Sequence, residues 1–147
     1  MNIFQRLMMP KALRKNKEII YCEIISDGIY FTVSEDLDGR KRNIIYAVDK
    51  SINQYIGFLE FGEDKFIKNI FVRHKYRHQG HGYNLIAHAI TYFDVNKVYI
   101  NDENEAAVNL FKKIGFKIEN AHVYGNHHLK FMKADIYETI RIIHKDK

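Results

Sequence analysis

Apolar and polar positions follow two regimes along this chain. Up to residue 72 the apolar stretches are short, rich in β-branched and aromatic residues, and separated by turn residues, which is the pattern of strands. The predicted strands are "EIIYCEII" (18–25), "IYFTVS" (29–34), "NIIYAVD" (43–49), "YIGFLEF" (55–61) and "KFIKNIFV" (65–72). Between them "SDG", "EDLDGRKR" and "GED" supply turns, with Asp38-Gly39 the strongest hairpin signal. This half therefore predicts an antiparallel meander. Ahead of it, residues 2–9 predict a short amphipathic helix ended by Pro10.

After residue 72 the period changes. In "YNLIAHAITYF" (83–93), Leu85, Ile86, Ala89, Ile90 and Phe93 share one helical face. "KVYI" (97–100) predicts a short buried strand. In "NEAAVNLFKKI" (104–114), Ala107, Leu110, Phe111 and Ile114 share a face, and Gly115 fits a helix stop. "FKIENAHVYGNHHLKFMK" (116–133) predicts a hairpin with Gly125-Asn126 at its tip. A last helix, "ADIYETIRIIHKD", aligns Ile136, Ile140 and Ile143. Strands, helix, strand, helix, strands and helix in that order imply an α+β fold with a mixed sheet.

Composition narrows the picture. A chain of 147 residues with 46% hydrophobic content suits one globular domain, 1–147. No apolar run reaches the ~20 residues a membrane helix requires. The start lacks a long apolar region with a small-residue cleavage site, which argues against a signal peptide. Cys22 is the one cysteine, so no disulfide framework exists, and the expected location is the cytoplasm. The net charge of +5 has two readings, a nucleic-acid binder or a protein that handles a polyanionic small molecule. The basic residues fall in local patches, "KALRKNK", "GRKR" and "VRHKYRH", not in one stripe, which disfavours nucleic acid.

The stretch "VRHKYRHQGHG" joins a predicted strand to a predicted helix. A helix start exposes unpaired N–H groups, and its dipole favours an anion. Gly80 and Gly82 remove Cβ atoms that would hold a phosphate away, and Arg77 adds a fork of donors. A pyrophosphate fits such a loop; a plain tight turn into a helix fits it as well. The three-glycine dinucleotide fingerprint and the Gly-Lys-Ser/Thr loop are both missing. His74, His78 and His81 have spacing that zinc sites use, but no cysteine or acid completes a set. They read as cationic or polar loop residues, and no metal is expected.

In context the loop resembles the pyrophosphate motif of GCN5-related N-acetyltransferases, with Val72, Arg77, Gly80 and Gly82 at the motif positions. "VYINDENEAAVNLFKKIGFK" resembles that family's second signature through Asn104, Ala107, Phe111, Lys112, Gly115 and Phe116. "LKFMK" resembles its last core strand. The resemblance covers about 54–133 and leaves 134–147 as an extra C-terminal helix. It implies a mixed, mostly antiparallel sheet flanked by helices, whose two central parallel strands, here 66–72 and 97–100, splay apart. It implies acetyl-CoA as cosubstrate. The backbone of Ile70, Phe71 and Val72 would pair with the pantetheine arm. The amides of His78, Gln79, Gly80, His81, Gly82 and Tyr83 would hold the pyrophosphate. Asn104 and Phe111 would lie near the pantetheine or thioester.

The pattern also departs from the family. Many relatives have a proton-donating Tyr where this chain has Phe111, and a Glu where it has Lys68-Asn69. Three possibilities follow: positioning alone drives transfer, another residue substitutes, or the domain binds CoA without turnover. Glu60 is the candidate base, with His127 and His128 behind it, and Tyr124 or Tyr99 the candidate acid. Residues 27–42 read as strand and turn where the family places helices that wall the acceptor site. An open site of that kind would admit a protein side chain or terminus, or another bulky acceptor, and the final helix could cover the gap or form a homodimer. The acceptor implied is an amine, on a small molecule or a protein.

Overall fold

The computed structural model describes residues 19–26, 42–124 and 127–145. The predicted helix at 2–9, the strand at 29–34, the turn at 35–42 up to Lys41, and the Gly125-Asn126 tip lie outside the described residues. Seven strands form one sheet: β1 (Ile19–Ser26), β2 (Arg42–Asp49), β3 (Gln54–Phe61), β4 (Phe66–Val72), β5 (Lys97–Asn101), β6 (Lys117–Tyr124) and β7 (His127–Lys133). Their order across the sheet is β1-β2-β3-β4-β5-β7-β6. Helices α1 (His81–Phe93), α2 (Glu105–Ile114) and α3 (Ile136–Lys145) accompany it, with one 3₁₀ turn at His74–Tyr76.

Every neighbouring pair of strands is antiparallel except β4 and β5. Those two are parallel and pair only at Phe66–Lys97 and Ile67–Val98. β5 goes on pairing with β7 as far as Asn101, so the gap opens on the β4 side. The ladder therefore leaves the last residues of β4 facing a space instead of a strand. A backbone edge of this kind needs other partners. On the β3 side, Gly57 permits the close approach. A Cβ there would lie 2.5 Å from the Phe71 carbonyl oxygen.

Alternation along the strands divides the sheet into two faces. One face packs Ile45, Leu59, Ile67, Val98 and Met132 against Leu85, Ile86 and Ile90 of α1 and Phe111 and Ile114 of α2. Burying each such side chain contributes roughly 1.5–3 kcal/mol. The other face carries a row of rings. Tyr46 and Phe58 are 6.4 Å apart, Phe58 and Phe71 5.9 Å, Phe66 and Tyr99 5.3 Å, and Tyr99 and Phe131 5.4 Å.

α2 ends at Gly115, whose φ of +118° suits a residue without a Cβ. An added Cβ would also meet Thr139 Cγ2 of α3 at 2.9 Å. α3 is fixed at its start by two bonds between Asn96 and Ala134, and Asp135 Oδ1 accepts from the Glu138 amide. Among the described residues no helix is long and apolar enough to cross a membrane.

Candidate functional site

The loop between β4 and α1 opens on a cavity of about 380 Å³. Its wall on the strand side is Ile70, Phe71 and Val72, and its floor is Gly80, His81 and Gly82 at the start of α1. Of the twelve residues predicted to hold the cofactor, the structure brings Ile70, Phe71, Val72, Arg77, His78, Gly80, His81, Gly82 and Tyr83 to this one cavity.

The loop's shape follows from its residues. His78 and Gly80 both have positive φ, +62° and +87°. Gly80 caps α1 in the left-handed conformation, and its carbonyl accepts from the Asn84 amide at 3.0 Å. No side chain caps this helix start, and its first turn holds no acid. A Cβ on Gly82 would meet only Leu110 Cδ2, at 3.5 Å, so Gly82 leaves open a cradle that a side chain would fill. With no side-chain cap, the amides of His81 and Gly82 are placed to hold an anion. Arg77 Nε donates to the Val72 carbonyl at 2.8 Å, tying the loop to the end of β4, and its guanidinium sits 5.7 Å from the Phe71 ring.

Three lining residues escaped the sequence reading. Tyr76 reaches the cavity because the 3₁₀ turn carries it there, and Leu110 and Lys113 arrive from α2. Lys113 Nζ lies 5.6 Å from the Tyr83 ring and adds a cation at the rim. Leu110 and Lys113 are three apart on one helix face, a signal that the 104–114 periodicity did contain.

Other predicted residues sit elsewhere. The Gln79 side chain donates to the Lys75 carbonyl and does not line the cavity. Asn104 is the exposed N-cap of α2, its Oδ1 accepting from the Ala107 amide at 3.1 Å. Phe111 is 2% exposed and packs edge-on against Phe116, with ring centroids 4.9 Å apart. Leu110, its neighbour, faces the cavity instead. Glu60 is 4% exposed on β3 and accepts from Asn69 Nδ2 of β4 at 2.7 Å. It belongs to the ring-bearing face, behind the point where β4 and β5 separate. Tyr99 stands on that same face, 43% exposed and stacked on Phe66. The side chains of Tyr124 and His127 lie outside the described residues; His128 is exposed in β7. Among the described residues no group of three His, Cys, Asp or Glu side chains is placed to hold a metal ion.

His81 departs most from expectation. The sequence places it among polar loop residues, yet its side chain is 5% exposed and turned toward β1. Tyr21 Oη lies 3.3 Å from its Nδ1. Burial lowers the imidazole pKa below its ordinary value, and the Asp49 carboxylate opposes that shift. Further along α1, His88 is buried between Tyr21 and Tyr92, and burial lowers its pKa to about 4.

The profile described as "Acetyltransferase (GNAT) domain" matches residues 23–133. The chain belongs to the GNAT acetyltransferase family. Solved structures agree on the fold. The spermidine/spermine N-acetyltransferase SpeG from Vibrio cholerae superposes with a TM-score of 0.60 at 18% identity, covering 86% of this chain and 98% of that one. NAA60 of Arabidopsis thaliana, in complex with a bisubstrate analogue, gives 0.57 at 16%, covering 78% and 94%. YjaB from Escherichia coli gives 0.53 at 26%, covering 61% and 63%. No curated protein matches the sequence. The separated central strands and the capless start of α1 both lie within the matched residues 23–133.

Proposed function

We propose that this GNAT chain is an N-acetyltransferase that moves an acetyl group from acetyl-CoA to a primary amine, carried by a small molecule or a protein. One observation carries the reading. The β4–β5 ladder stops at Ile67–Val98, and the space it leaves adjoins the uncapped start of α1 in a single cavity. That combination offers a backbone edge that β5 does not take up for an amide-bearing arm, and a set of amides for a pyrophosphate. The residues fit the cosubstrate: Gly82 leaves the cradle, and Arg77 and Lys113 put cations at its rim.

In this reading the edge of β4 at Ile70–Val72 aligns the pantetheine amides, and the amides of His78–Tyr83 hold the pyrophosphate. The amine attacks the thioester carbonyl from the ring-bearing face. The C–N bond forms, an N–H near Val72 stabilises the oxyanion, the C–S bond breaks, and the amine loses one proton. Glu60 takes that proton, directly or through water, while Asn69 Nδ2 donates to its carboxylate. The thiolate leaves without help from Phe111, which has no proton to give; Tyr99 or Tyr124 supplies a proton if one is needed. Orientation in the cleft provides a large share of the rate.

The burial of Phe111 favours a second reading, a CoA-binding module with little or no turnover. Calorimetry with acetyl-CoA and CoA, followed by thiol release over an amine panel that includes spermidine, decides between them. Binding with amine-dependent thiol release above hydrolysis supports the transferase. Binding with no release for any amine supports the module. No binding of either ligand at millimolar concentration refutes both.

A further inference from the structure

His81 occupies the position between the two loop glycines. Its amide belongs to the open first turn of α1, while its ring lies beneath that turn in the protein interior. We propose that His81 is a proton-linked element of the phosphate loop, kept neutral in the empty cleft by Tyr21 and protonated when a pyrophosphate occupies the amides above it. This proposal rests on the CoA reading of the cavity.

The Tyr21 hydroxyl lies 3.3 Å from His81 Nδ1. Burial pushes the Tyr21 phenol up to about 12, against a smaller opposing effect of Asn84, so the hydroxyl stays protonated. In the proposed resting state its hydrogen points to Nδ1, and His81 carries its own proton at Nε2. Protonation turns Nδ1 into a donor and forces the Tyr21 hydrogen aside. This opposes charging of His81 in addition to the cost of burial.

The surroundings supply only part of what a cation there would need. From β2, the Asp49 carboxylate favours the charged imidazole. Asp49 is itself engaged by Ser51 Oγ at 2.6 Å and by the Tyr76 hydroxyl at 3.4 Å. From the 3₁₀ turn, the Tyr76 ring meets His81 edge-on at 6.3 Å, and Lys75 Nζ lies 6.0 Å from the Tyr76 ring on its exposed side. Arg77 and His78 belong to the adjoining loop, and His88 stacks beyond Tyr21. A pyrophosphate adds the missing negative charge. An anion held by the His81 amide sits on the same residue as the ring, and its charge raises the imidazole pKa on the order of one unit or more.

The sign of the linkage follows. Binding takes up protons between the pKa of the empty protein and the higher pKa of the complex, so affinity rises as pH falls through that window. The residue thereby makes cofactor retention sensitive to pH without contacting the reacting atoms.

The test uses dephospho-CoA, whose pyrophosphate keeps its charge near neutral pH and which lacks the titrating 3′-phosphate. Histidine ¹⁵N NMR of the wild-type protein follows each imidazole from pH 5 to 8 with and without this ligand. The expected result is an Nε2–H tautomer for His81 in the free protein and a pKa rise of about one unit in the complex. In parallel, the pH dependence of affinity should flatten in His81→Gln, which accepts from Tyr21 but does not titrate, and persist in His78→Gln. Tyr21→Phe should raise the His81 pKa of the free protein. An unshifted His81 in a ligand-bound protein overturns the proposal and leaves the CoA reading intact. Absence of binding overturns both.

Discussion

Helices α1 and α2 each follow a strand and pack on the same face of the sheet, yet their N-termini are finished in opposite ways. At α2 the chain satisfies itself. Asn104 caps the first turn through Ala107, and Glu105 supplies the negative charge that the dipole favours. At α1 it does neither. Gly80 stands at the cap without a side chain, no acid follows, and Gly82 keeps the approach open. A helix start that leaves its amides unpaired gives up stability, and a ligand anion restores it. One helix of the pair is built to be complete and the other to be completed.

The sharpest way to break this contrast is to give α1 an anion of its own. Gly82→Asp places a carboxylate in the first turn, where it occupies the cradle and repels pyrophosphate. At an effective dielectric of about 20, like charges ~4 Å apart cost enough to weaken acetyl-CoA binding on the order of 10³-fold. Thermal stability should stay close to wild type, because the added Cβ meets only Leu110 in ordinary contact. Calorimetry and a melting curve measure both. Wild-type affinity in the folded variant would remove the loop from the binding site.

The middle of α1 is sealed as firmly as its start is open, and pH exposes this. His88 Nδ1 has no hydrogen-bond partner among the described residues, and burial holds the imidazole near 4. Above the unfolded value of about 6.5 both states are neutral and nothing is lost. Below it the unfolded chain binds a proton that the folded one refuses, so stability falls by up to about 1.4 kcal/mol per pH unit, or roughly 3 kcal/mol by pH 4. Denaturation of wild type and His88→Phe between pH 7 and 4.5 should show the variant losing less. Parallel curves would mean that His88 charges freely in the fold.

At α2 the expected effect is smaller and falls on stability. Asn104→Ala should cost about 1 kcal/mol through the lost cap. Its effect on acetyl-CoA affinity separates the two roles open to this residue. A loss of affinity larger than that of stability would assign Asn104 a ligand contact as well.

The smallest effect is expected at Phe111. A hydroxyl added to a ring sealed against Phe116 should lower stability by about 1 kcal/mol and change the acetylation rate by no more than about twofold, well below what a working general acid supplies. A larger rise in rate for Phe111→Tyr would bring the ring into the cleft as a proton donor.

The same contrast explains what the sequence made legible. Gly80, Gly82 and Arg77 announce an anion loop because a strand-to-helix junction is local, and its chemistry lies in adjacent letters. The separation of β4 from β5 was implied by the family resemblance that two motifs in the right succession carry, while the order of the strands across the sheet was not legible. The inward turn of His81 was not legible, because its partner Tyr21 lies 60 residues away on the first described strand. Tyr76 entered the cavity through a 3₁₀ turn that no apolar period marks. Phe111 was expected near the cofactor and its neighbour Leu110 was not, because only the packing of Phe111 on Phe116 turns that ring to the core and leaves Leu110 at the cavity.

Amide hydrogen exchange with and without acetyl-CoA tests the central claim most directly, because it reads the backbone groups that the account says are waiting for a ligand. The account predicts new protection at Ile70–Val72 and at His78–Tyr83 on adding acetyl-CoA, with little change at the start of α2, where Asn104 already completes the turn. Saturating acetyl-CoA that leaves the exchange of both β4 and the α1 loop unchanged, or protects a different segment, would contradict it.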